Sequence, residues 1–439
     1  MLDAPTPAAA LDDPPLAVDL DGTLIRTDVF QEAMLQLAFH KPWKLPLLAL
    51  WLMRGRAFAK ARLAEEFPPD AARLPYNEGL VTWLRQEHAR GRKVVLATAS
   101  DRRAAQLVAD HVGVFDAVYA SDGHTNLKSR RKGDALAAAY PQGFAYAGNE
   151  SADIKVWSTA KRAVVVNASG ALTRDAAARF DVERTFPREA GGVGALIKAM
   201  RPQQWAKNLL VFVPMLAGQG WFSAAAWQHA FLAFWALSAC ASGLYLVNDI
   251  ADIAADRRHP RKRARPFASG AASPTLGLPL AAALLVIGAW LGIAAGALAP
   301  LALYAASSAL YTFWLKRVAL IDVFVLAGLY TLRIVLGGIA TGFTASDWLL
   351  AFSGFFFLSL ALVKRAAEVD ALQRDLTGRG YRAGDSPMLK RIGVGAGMLA
   401  ALVLAVYLQE PENQARYNAP EFLWALPVAA VFWLSRVWL

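Results

Sequence analysis

The chain is poor in cysteine, and its first residues lack the features that direct secretion. Cys240 is the single cysteine in 439 residues, which excludes an intrachain disulfide, a thiolate metal cluster and a thiol redox pair. The first fifteen residues, MLDAPTPAAALDDPP, have neither a basic segment nor an apolar one behind it. They do not read as a secretory signal and are expected to be disordered. Acidic residues are also in deficit, with 35 Asp and Glu against 46 Lys and Arg and a net charge of +11. Up to about residue 200 no apolar run is long enough to cross a bilayer, and the mixture of charged and apolar residues is that of a globular protein.

Beyond residue 200 the composition changes. The hydrophobic content of 56% and mean hydropathy of +0.31 are carried by recurring apolar stretches, and these read as eight membrane spans. They fall at about 207–222, 227–247, 275–296, 298–315, 319–342, 347–364, 391–409 and 421–439. The loops at 248–274, at LKRVALID and at 364–390 are rich in Lys and Arg, whereas GQGWFSAAA, AGALAP and TGFTASD have none and 410–420 has only Arg416. The basic loops are therefore expected in the cytosol, together with the N-terminal domain. This topology, with some phosphate sites, accounts for the net charge and leaves no need for nucleic acid. The expected domains are a disordered 1–15, a soluble 16–185, a linker 186–204 and a membrane part 205–439. The sequence stops inside the apolar FWLSRVWL, which reads as a chain whose last helix is missing.

In the soluble part, LAVDLDGTL is an apolar strand ending in Asp19 and Asp21 before a Gly-Thr turn. Carboxylates at i and i+2 point the same way off a strand end, which suits a nucleophile and a general acid/base grouped around a cation. A second buried strand, KVVLATAS, ends at Thr98, Lys132 opens the helical KGDALAAAY, and FAYAGNESAD is a strand ending in Gly148, Asn149 and Asp153. A hydroxyl, a lysine and an acid placed at the carboxyl edge of a parallel sheet would hold a phosphoryl group and Mg²⁺. The set, over about residues 16–170, resembles the haloacid dehalogenase superfamily of aspartyl phosphatases. That resemblance implies an α/β fold with a Rossmann-like parallel sheet and a helical cap at about 24–90. It makes Asp19 the nucleophile and Asp21 the acid/base, with both at the metal. Thr98 and Lys132 would hold phosphoryl oxygens, with Lys128 the rival lysine, and Asn149 and Asp153 would complete the Mg²⁺ site. Asn149 stands where the family usually has an Asp, which removes one negative charge from that site; the competing reading is a degenerate domain kept for docking. Within the cap, WKLPLLALWLM is too short to span a membrane. It reads first as a buried cap helix, with a membrane-surface helix as the alternative.

The loop NDIADIAADRRHPRKRARP comes directly after the second span. If the helix continues through it, Asn248, Asp252 and Asp256 form one stripe with Asp249 beside it. Clustered carboxylates without matched counterions make sense where divalent cations bind, and Mg²⁺ bridging carboxylates to a diphosphate is the expected use. Arg257, Arg258, Arg261, Lys262, Arg263 and Arg265 then succeed them, interleaved with His259 and two prolines, and could clamp phosphate oxygens. An ordinary positive-inside loop would explain these bases but not the spaced acids. At the cytosolic end of the sixth span Lys364, Glu368 and Asp375 fall within about 40° on a helical wheel.

NDIADIAAD leading into RARPFASG, with the later acidic helix end, resembles the UbiA superfamily of intramembrane prenyltransferases over about residues 200–439 and implies an all-α bundle. MRPQQWAKNLLVFVP, HPRKRARP and KRAAE resemble its decaprenyl-phosphate phosphoribosyltransferase branch. That branch implies a polyprenyl phosphate acceptor and a 5-phosphoribosyl diphosphate donor. Mg²⁺ on Asp249, Asp252 and Asp256 would hold the donor's diphosphate, with Asn248 beside it. Lys364 and the loop residues Arg257, Arg261, Lys262, Arg263 and Arg265 would hold phosphates, and Glu368 and Asp375 the ribose hydroxyls or a second cation. Arg333 lies well inside the fifth span, where an isolated charge costs at least ~2.5 kcal/mol, so it is expected to meet the lipid phosphate or an internal acid. Lys207 and Asn208 are further phosphate candidates. A phosphatase in the same chain could then remove the 5-phosphate and leave polyprenyl-phosphoryl-ribose for cell-surface glycans. Two other readings stand beside this one: prenyl transfer to an aromatic or haem acceptor, and a membrane scaffold or transporter with a degenerate sensor domain.

Overall fold

Leu16, Ala17 and Val18 are wholly buried on both faces, the pattern of a strand inside a parallel sheet covered by helices. The computed structural model of the protein describes residues 13–188, 191–372, 380–414 and 419–439. Six parallel strands, β1 (Leu16–Val18), β2 (Val94–Asp101), β3 (Ala117–Ser121), β4 (Ala145–Gly148), β5 (Arg162–Val166) and β6 (Val182–Phe186), lie in the order β3-β2-β1-β4-β5-β6. Leu16 is in register with Val94 on one side and Ala145 on the other. The chain runs outward from β1 through β2 and β3, then returns to β4 and runs the other way. The reversal lies between β1 and β4, and the crevice at the carboxyl ends of those strands is where such sheets bind ligands.

Helices Val29–His40, Leu45–Met53 and Arg56–Glu66 form the cap inserted between β1 and β2. The helix Leu45–Met53 corrects the expectation of a buried cap helix. Leu48 is its one buried residue, whereas Leu50 and Met53 are 56% and 83% exposed and the preceding Trp43 71%. Nine residues with almost no polar side chain cannot divide into an inner and an outer face, so most of the apolar surface stays uncovered.

Two compact units make up the chain: Met1–Ala199 together with Asp249–Gly277, and Met200–Asn248 together with Leu278–Leu439. The loop between the second and third expected spans thus folds as part of the α/β unit, with Phe267 wholly buried there. The stretch expected as a linker contains the helix Val193–Met200.

In the helical unit and the helix running out of it, six helices among the described residues are long and apolar enough to cross a membrane: Ala224–Ala251, Pro274–Ala294, Ile321–Thr341, Asp347–Ala371, Ser386–Gln409 and Glu421–Trp438. Leu298–Phe313 is a shorter apolar helix in the position of the fourth expected span. The first expected span, 207–222, is not one continuous helix. It is a 3₁₀ helix, Pro202–Phe212, followed by the five-residue helix Val213–Ala217. Pro214 has no N–H to give to an α-helical ladder and is tolerated only in a first helical turn, which is where it sits.

Candidate functional site

At the β1–β4 switch point the α/β unit gathers its polar groups. Asp19 comes directly after β1, and Lys132, near the start of the helix Arg130–Ala139, donates from Nζ to Asp19 Oδ1 at 2.8 Å and to the Tyr146 hydroxyl at 2.7 Å. Both side chains of the Asp19–Lys132 pair are buried. Lys128, the rival lysine, has a half-exposed side chain 4.0 Å from Glu150. Tyr146 Oη donates to Asp153 Oδ1 at 2.9 Å, while Asp153 Oδ2 accepts the backbone N–H groups of Asn149 and Glu150 at 2.9 and 3.0 Å. Asp153 therefore holds the loop that presents Asn149. Thr23 Oγ1 donates to Asn149 Oδ1 at 3.1 Å. Gly22 lies at φ +75°, and a Cβ there would stand 2.2 Å from the Asn149 side-chain nitrogen, so only glycine lets the two loops approach this closely.

Asp21 Oδ1 accepts the N–H of Val29 at 2.9 Å and Oδ2 accepts the Ser100 hydroxyl at 2.5 Å. Thr98, wholly buried, accepts the N–H of Ser100 on Oγ1 at 3.0 Å. Burial pushes Asp19 up to about 6, opposed by Lys132, and pushes Asp21 up to about 8, helped by the charge of Asp28. At neutral pH the two carboxyls are thus biased toward opposite states, Asp19 ionised and Asp21 protonated, which is the division of labour of a nucleophile and an acid. Sequence reasoning passed over Ser100, Tyr146 and Lys60. Ser100 lies two residues beyond Thr98 on the same strand and so shares its face, a readable signal. Lys60 sits in the cap and reaches the Ala99 carbonyl at 2.6 Å, with burial pushing its ammonium down; nothing local marks it.

The acidic loop departs from the single helical stripe. The helix from Ala224 stops at Ala251, Asp252 takes a non-helical conformation (φ −94°, ψ 8°), and a new short helix, Ile253–Arg258, begins. Asn248 therefore ends one helix and Asp256 lies on another. Asp249 and Asp256, each 2% exposed, still converge, and the cation between them is Arg265, whose Nη1 lies 3.1 Å from Asp249 and 2.8 Å from Asp256. The expectation of acids without counterions is corrected by this residue, which serves as their counter-ion. Burial pushes the Asp256 carboxyl up despite Arg265. Arg257 is likewise committed: its guanidinium meets Glu32 at 2.8 and 2.6 Å and its Nε donates to the Ala268 carbonyl at 2.8 Å. Arg258 lies 3.8 Å from Asp70. Arg261 and Arg263 are exposed and Lys262 half-buried, on a turn in which His259 Nδ1 accepts the N–H groups of Arg261 and Lys262. Among the described residues no three His, Cys, Asp or Glu side chains form a ready metal cluster.

In the helical unit, buried Arg333 donates to Asn208 Oδ1 and the Tyr304 hydroxyl, both at 3.1 Å, and to the Leu329 carbonyl at 2.5 Å. Its guanidinium lies 5.0 Å from the ring centres of both Tyr304 and Tyr330. These protein partners are neutral, and the internal acid expected as one alternative is not among them. Asn208 also donates to Ser238 at 3.0 Å, and the exposed Lys207 extends over Tyr330 at 5.5 Å. Near the end of the helix Asp347–Leu372, Lys364 is exposed and its neighbour Arg365 is the buried cation, 2.6 Å from Asp322 and paired with Glu368. Tyr381 donates to the same Asp322. Arg365, Asp322 and Tyr381 escaped sequence reasoning, although an Asp at the head of a span is a polar signal of the kind that called attention to Arg333. Asp375 lies outside the described residues.

Known proteins share both parts of this arrangement. The pattern of the UbiA prenyltransferase family matches residues 209–439, and that of haloacid dehalogenase-like hydrolases matches residues 16–156. The protein y4nM of Sinorhizobium fredii is 35% identical over 435 residues, covering 97% of this chain and 84% of its own length. The nodulation protein NoeC of Azorhizobium caulinodans is 38% identical over 249 residues, 54% of this chain and 80% of its own. The decaprenyl-phosphate phosphoribosyltransferase of Mycobacterium tuberculosis is 36% identical over 189 residues, 42% of this chain and 62% of its own. The chain belongs to the UbiA prenyltransferase family and carries a haloacid dehalogenase-like hydrolase domain ahead of its membrane-spanning part.

Proposed function

We propose that the chain transfers 5-phosphoribose from phosphoribosyl diphosphate to a polyprenyl phosphate at the cytosolic face of the membrane, and that its hydrolase domain then removes the 5-phosphate. The observation that carries this reading is the joining, in one chain, of a part similar to decaprenyl-phosphate phosphoribosyltransferases and a haloacid dehalogenase-like domain in which Lys132 is paired with Asp19.

In the transfer step an oxygen of the lipid phosphate attacks C1 of the ribose, the bond from C1 to the diphosphate oxygen breaks, and inorganic diphosphate leaves. Asp249 and Asp256 converge on one cationic position, now taken by Arg265, and that donor set suits a divalent cation as well as a guanidinium. Mg²⁺, used generally in both families, would be held there by Asp249, Asp256 and Asp252, and in the hydrolase site by Asp19, the backbone carbonyl of Asp21 and Asn149; in each it would supply neutralisation of phosphate charge. Lys262, Arg261 and Arg263, on the loop, are assigned to the donor phosphates, with Lys364 and Glu368 as further donor contacts. Lys207 and Arg333, with Asn208, are assigned to the acceptor phosphate; Arg333 is already desolvated, so an anion arriving there gains the full strength of the interaction.

In the hydrolytic step Asp19 attacks phosphorus, the bond to the ribose C5 oxygen breaks, and Asp21 gives that oxygen its proton. Water then attacks the aspartyl phosphate, returns a proton to Asp21 and releases inorganic phosphate. Lys132, with Thr98, holds the phosphoryl oxygens and keeps Asp19 ionised. Tyr146 and Asp153 hold Lys132 and Asn149 in place. The purified chain in lipid nanodiscs, given Mg²⁺ and polyprenyl phosphate, should release diphosphate from phosphoribosyl diphosphate. Consumption of a prenyl diphosphate in its place, with an aromatic acceptor prenylated, would overturn the reading.

A further inference from the structure

A cavity of about 280 Å³ opens beside Asp21. One wall is the hydrolase's own: Asp21, Arg26, Asn149 and Arg188. The other wall is Phe267, Gly270, Ala271 and Ser273, which belong to the loop between two membrane helices. That loop is fastened closely. Gly270, at φ +75°, is so near Arg26 that a Cβ would stand 2.7 Å from the Arg26 Cβ. The Ala271 carbonyl accepts the N–H of Gly192 at 3.3 Å and lies 2.6 Å from where a Cβ on Gly191 would be. The Arg257–Glu32 pair, with side chains 8% and 11% exposed, ties the same loop to the cap helix Val29–His40. Arg257 also holds the Ala268 carbonyl, one residue beyond Phe267.

We infer that the loop of residues 253–274 is a working part of the hydrolase site, forming the wall that selects its substrate. The substrate class is a pentose 5-phosphate linked through its anomeric carbon to a lipid phosphate, and in naming it the inference rests on the function proposed above. The chemistry of the cavity fits that headgroup. Asp21 and Asn149 mark the end where the monoester is cleaved. Gln31 and Asn167, with the acids Asp28, Glu32 and Glu150, are hydrogen-bonding groups for ribose hydroxyls, and Arg26 and Arg188 are the cations of the lining for the phosphodiester. At about 280 Å³ the space lies near the lower limit of ligand pockets, ~300 Å³, so it takes the headgroup and leaves the prenyl chain outside. Arg257 acts as a positioning residue, holding the wall without touching the reacting atoms, while its partner Glu32 also lines the cavity. The segment 249–274 thus carries the acids Asp249 and Asp256 toward its start and the wall of the hydrolytic cavity at its end.

The test compares two phosphomonoesters on the full-length protein in nanodiscs: polyprenyl-phosphoryl-ribose 5-phosphate, and free ribose 5-phosphate, which lacks the phosphodiester. Arg257→Glu is expected to lower kcat/KM for the lipid-linked ester at least tenfold, mainly through KM, with the value for free ribose 5-phosphate within twofold of the parent. The double exchange, E32R/R257E, is expected to recover most of the loss, which a merely unfolded variant cannot do. Equal losses on both substrates, or none on either, overturn the inference. So does a parent protein that hydrolyses free ribose 5-phosphate but not the lipid-linked ester. Hydrolysis of the lipid-linked ester with the expected variant pattern, in a protein that transfers no phosphoribose, supports the inference while removing the transferase reading.

Discussion

Replacing Arg265 by Gln removes a guanidinium that bridges two carboxylates, each 2% exposed. Taking one partner out of a buried charge pair costs about 3–5 kcal/mol. Asp256, already pushed up by burial, takes up a proton more readily once Arg265 is gone, so the lower end of that range is expected near neutral pH. For a unit of this size each kcal/mol shifts the unfolding midpoint by roughly 2–4 °C, so with EDTA present the variant should unfold on the order of 10 °C below the parent protein. Mg²⁺ should offset most of this loss. The variant offers a divalent ion two acids with no competing guanidinium, and saturation to a hundred times the dissociation constant returns about 2.7 kcal/mol. Unfolding of the detergent-solubilised protein, monitored with and without Mg²⁺, measures both quantities. A variant that unfolds within 1 °C of the parent in EDTA, or that gains less from Mg²⁺ than the parent does, refutes the reasoning that Asp249 and Asp256 are a cation site held shut by Arg265.

The hydrolase site and the cap give further outcomes. Lys132→Met, which strips Asp19 of the ammonium 2.8 Å away, should lower the hydrolytic kcat by ~10²–10³ while phosphoribosyl transfer proceeds, measured as separate rates in the same preparation. Burial raises Asp19 to about 6 and Asp21 to about 8, so their protonated forms favour the fold. Their contribution is complete below about pH 4 and is lost as pH rises through about 6 and then about 8, so in EDTA the melting temperature should fall across that window. Asp19→Asn/Asp21→Asn should flatten the fall, and an unchanged slope would show that other groups set it. The apolar helix Leu45–Met53 is read as lying on the bilayer. A polarity-sensitive dye on Met53→Cys, with the buried Cys240 left unlabelled, should shift to the blue in nanodiscs relative to detergent-free amphipol; an aqueous emission in both assigns that face elsewhere.

The α/β part could be read from local signals because its chemistry sits where strand periodicity puts it. Asp19, Asp21 and Thr98 are each marked by an apolar strand run ending in a polar residue, and Lys132 stands near the start of a helix. Most membrane helices were legible for a similar reason, since length and hydropathy are properties of the segment alone. Two breaks in regular structure were not. Pro214 breaks the first expected span through a missing backbone donor, and Asp252 breaks the acidic stripe by leaving helical geometry, an event that spacing by fours cannot register. Arg257 and Arg265 read as phosphate clamps because sequence shows their charge and hides their partners. Glu32 is 225 residues from Arg257, and the folding of 249–277 with the hydrolase is a tertiary event with no local mark. Arg365 was masked by its neighbour: in KRAAE two cations stand side by side, and only the helix face decides that Lys364 is exposed and Arg365 buried against Asp322.

One polypeptide is held to perform two successive steps on one lipid, and mass spectrometry of the lipid product tests this most directly. The full-length protein in nanodiscs, supplied with Mg²⁺, polyprenyl phosphate and phosphoribosyl diphosphate, is predicted to yield polyprenyl-phosphoryl-ribose. Asp19→Asn should stop at the 5-phosphorylated lipid, and Asp249→Asn should give neither. A parent protein that accumulates only the 5-phosphorylated lipid, with Asp19→Asn indistinguishable from it, would contradict the account.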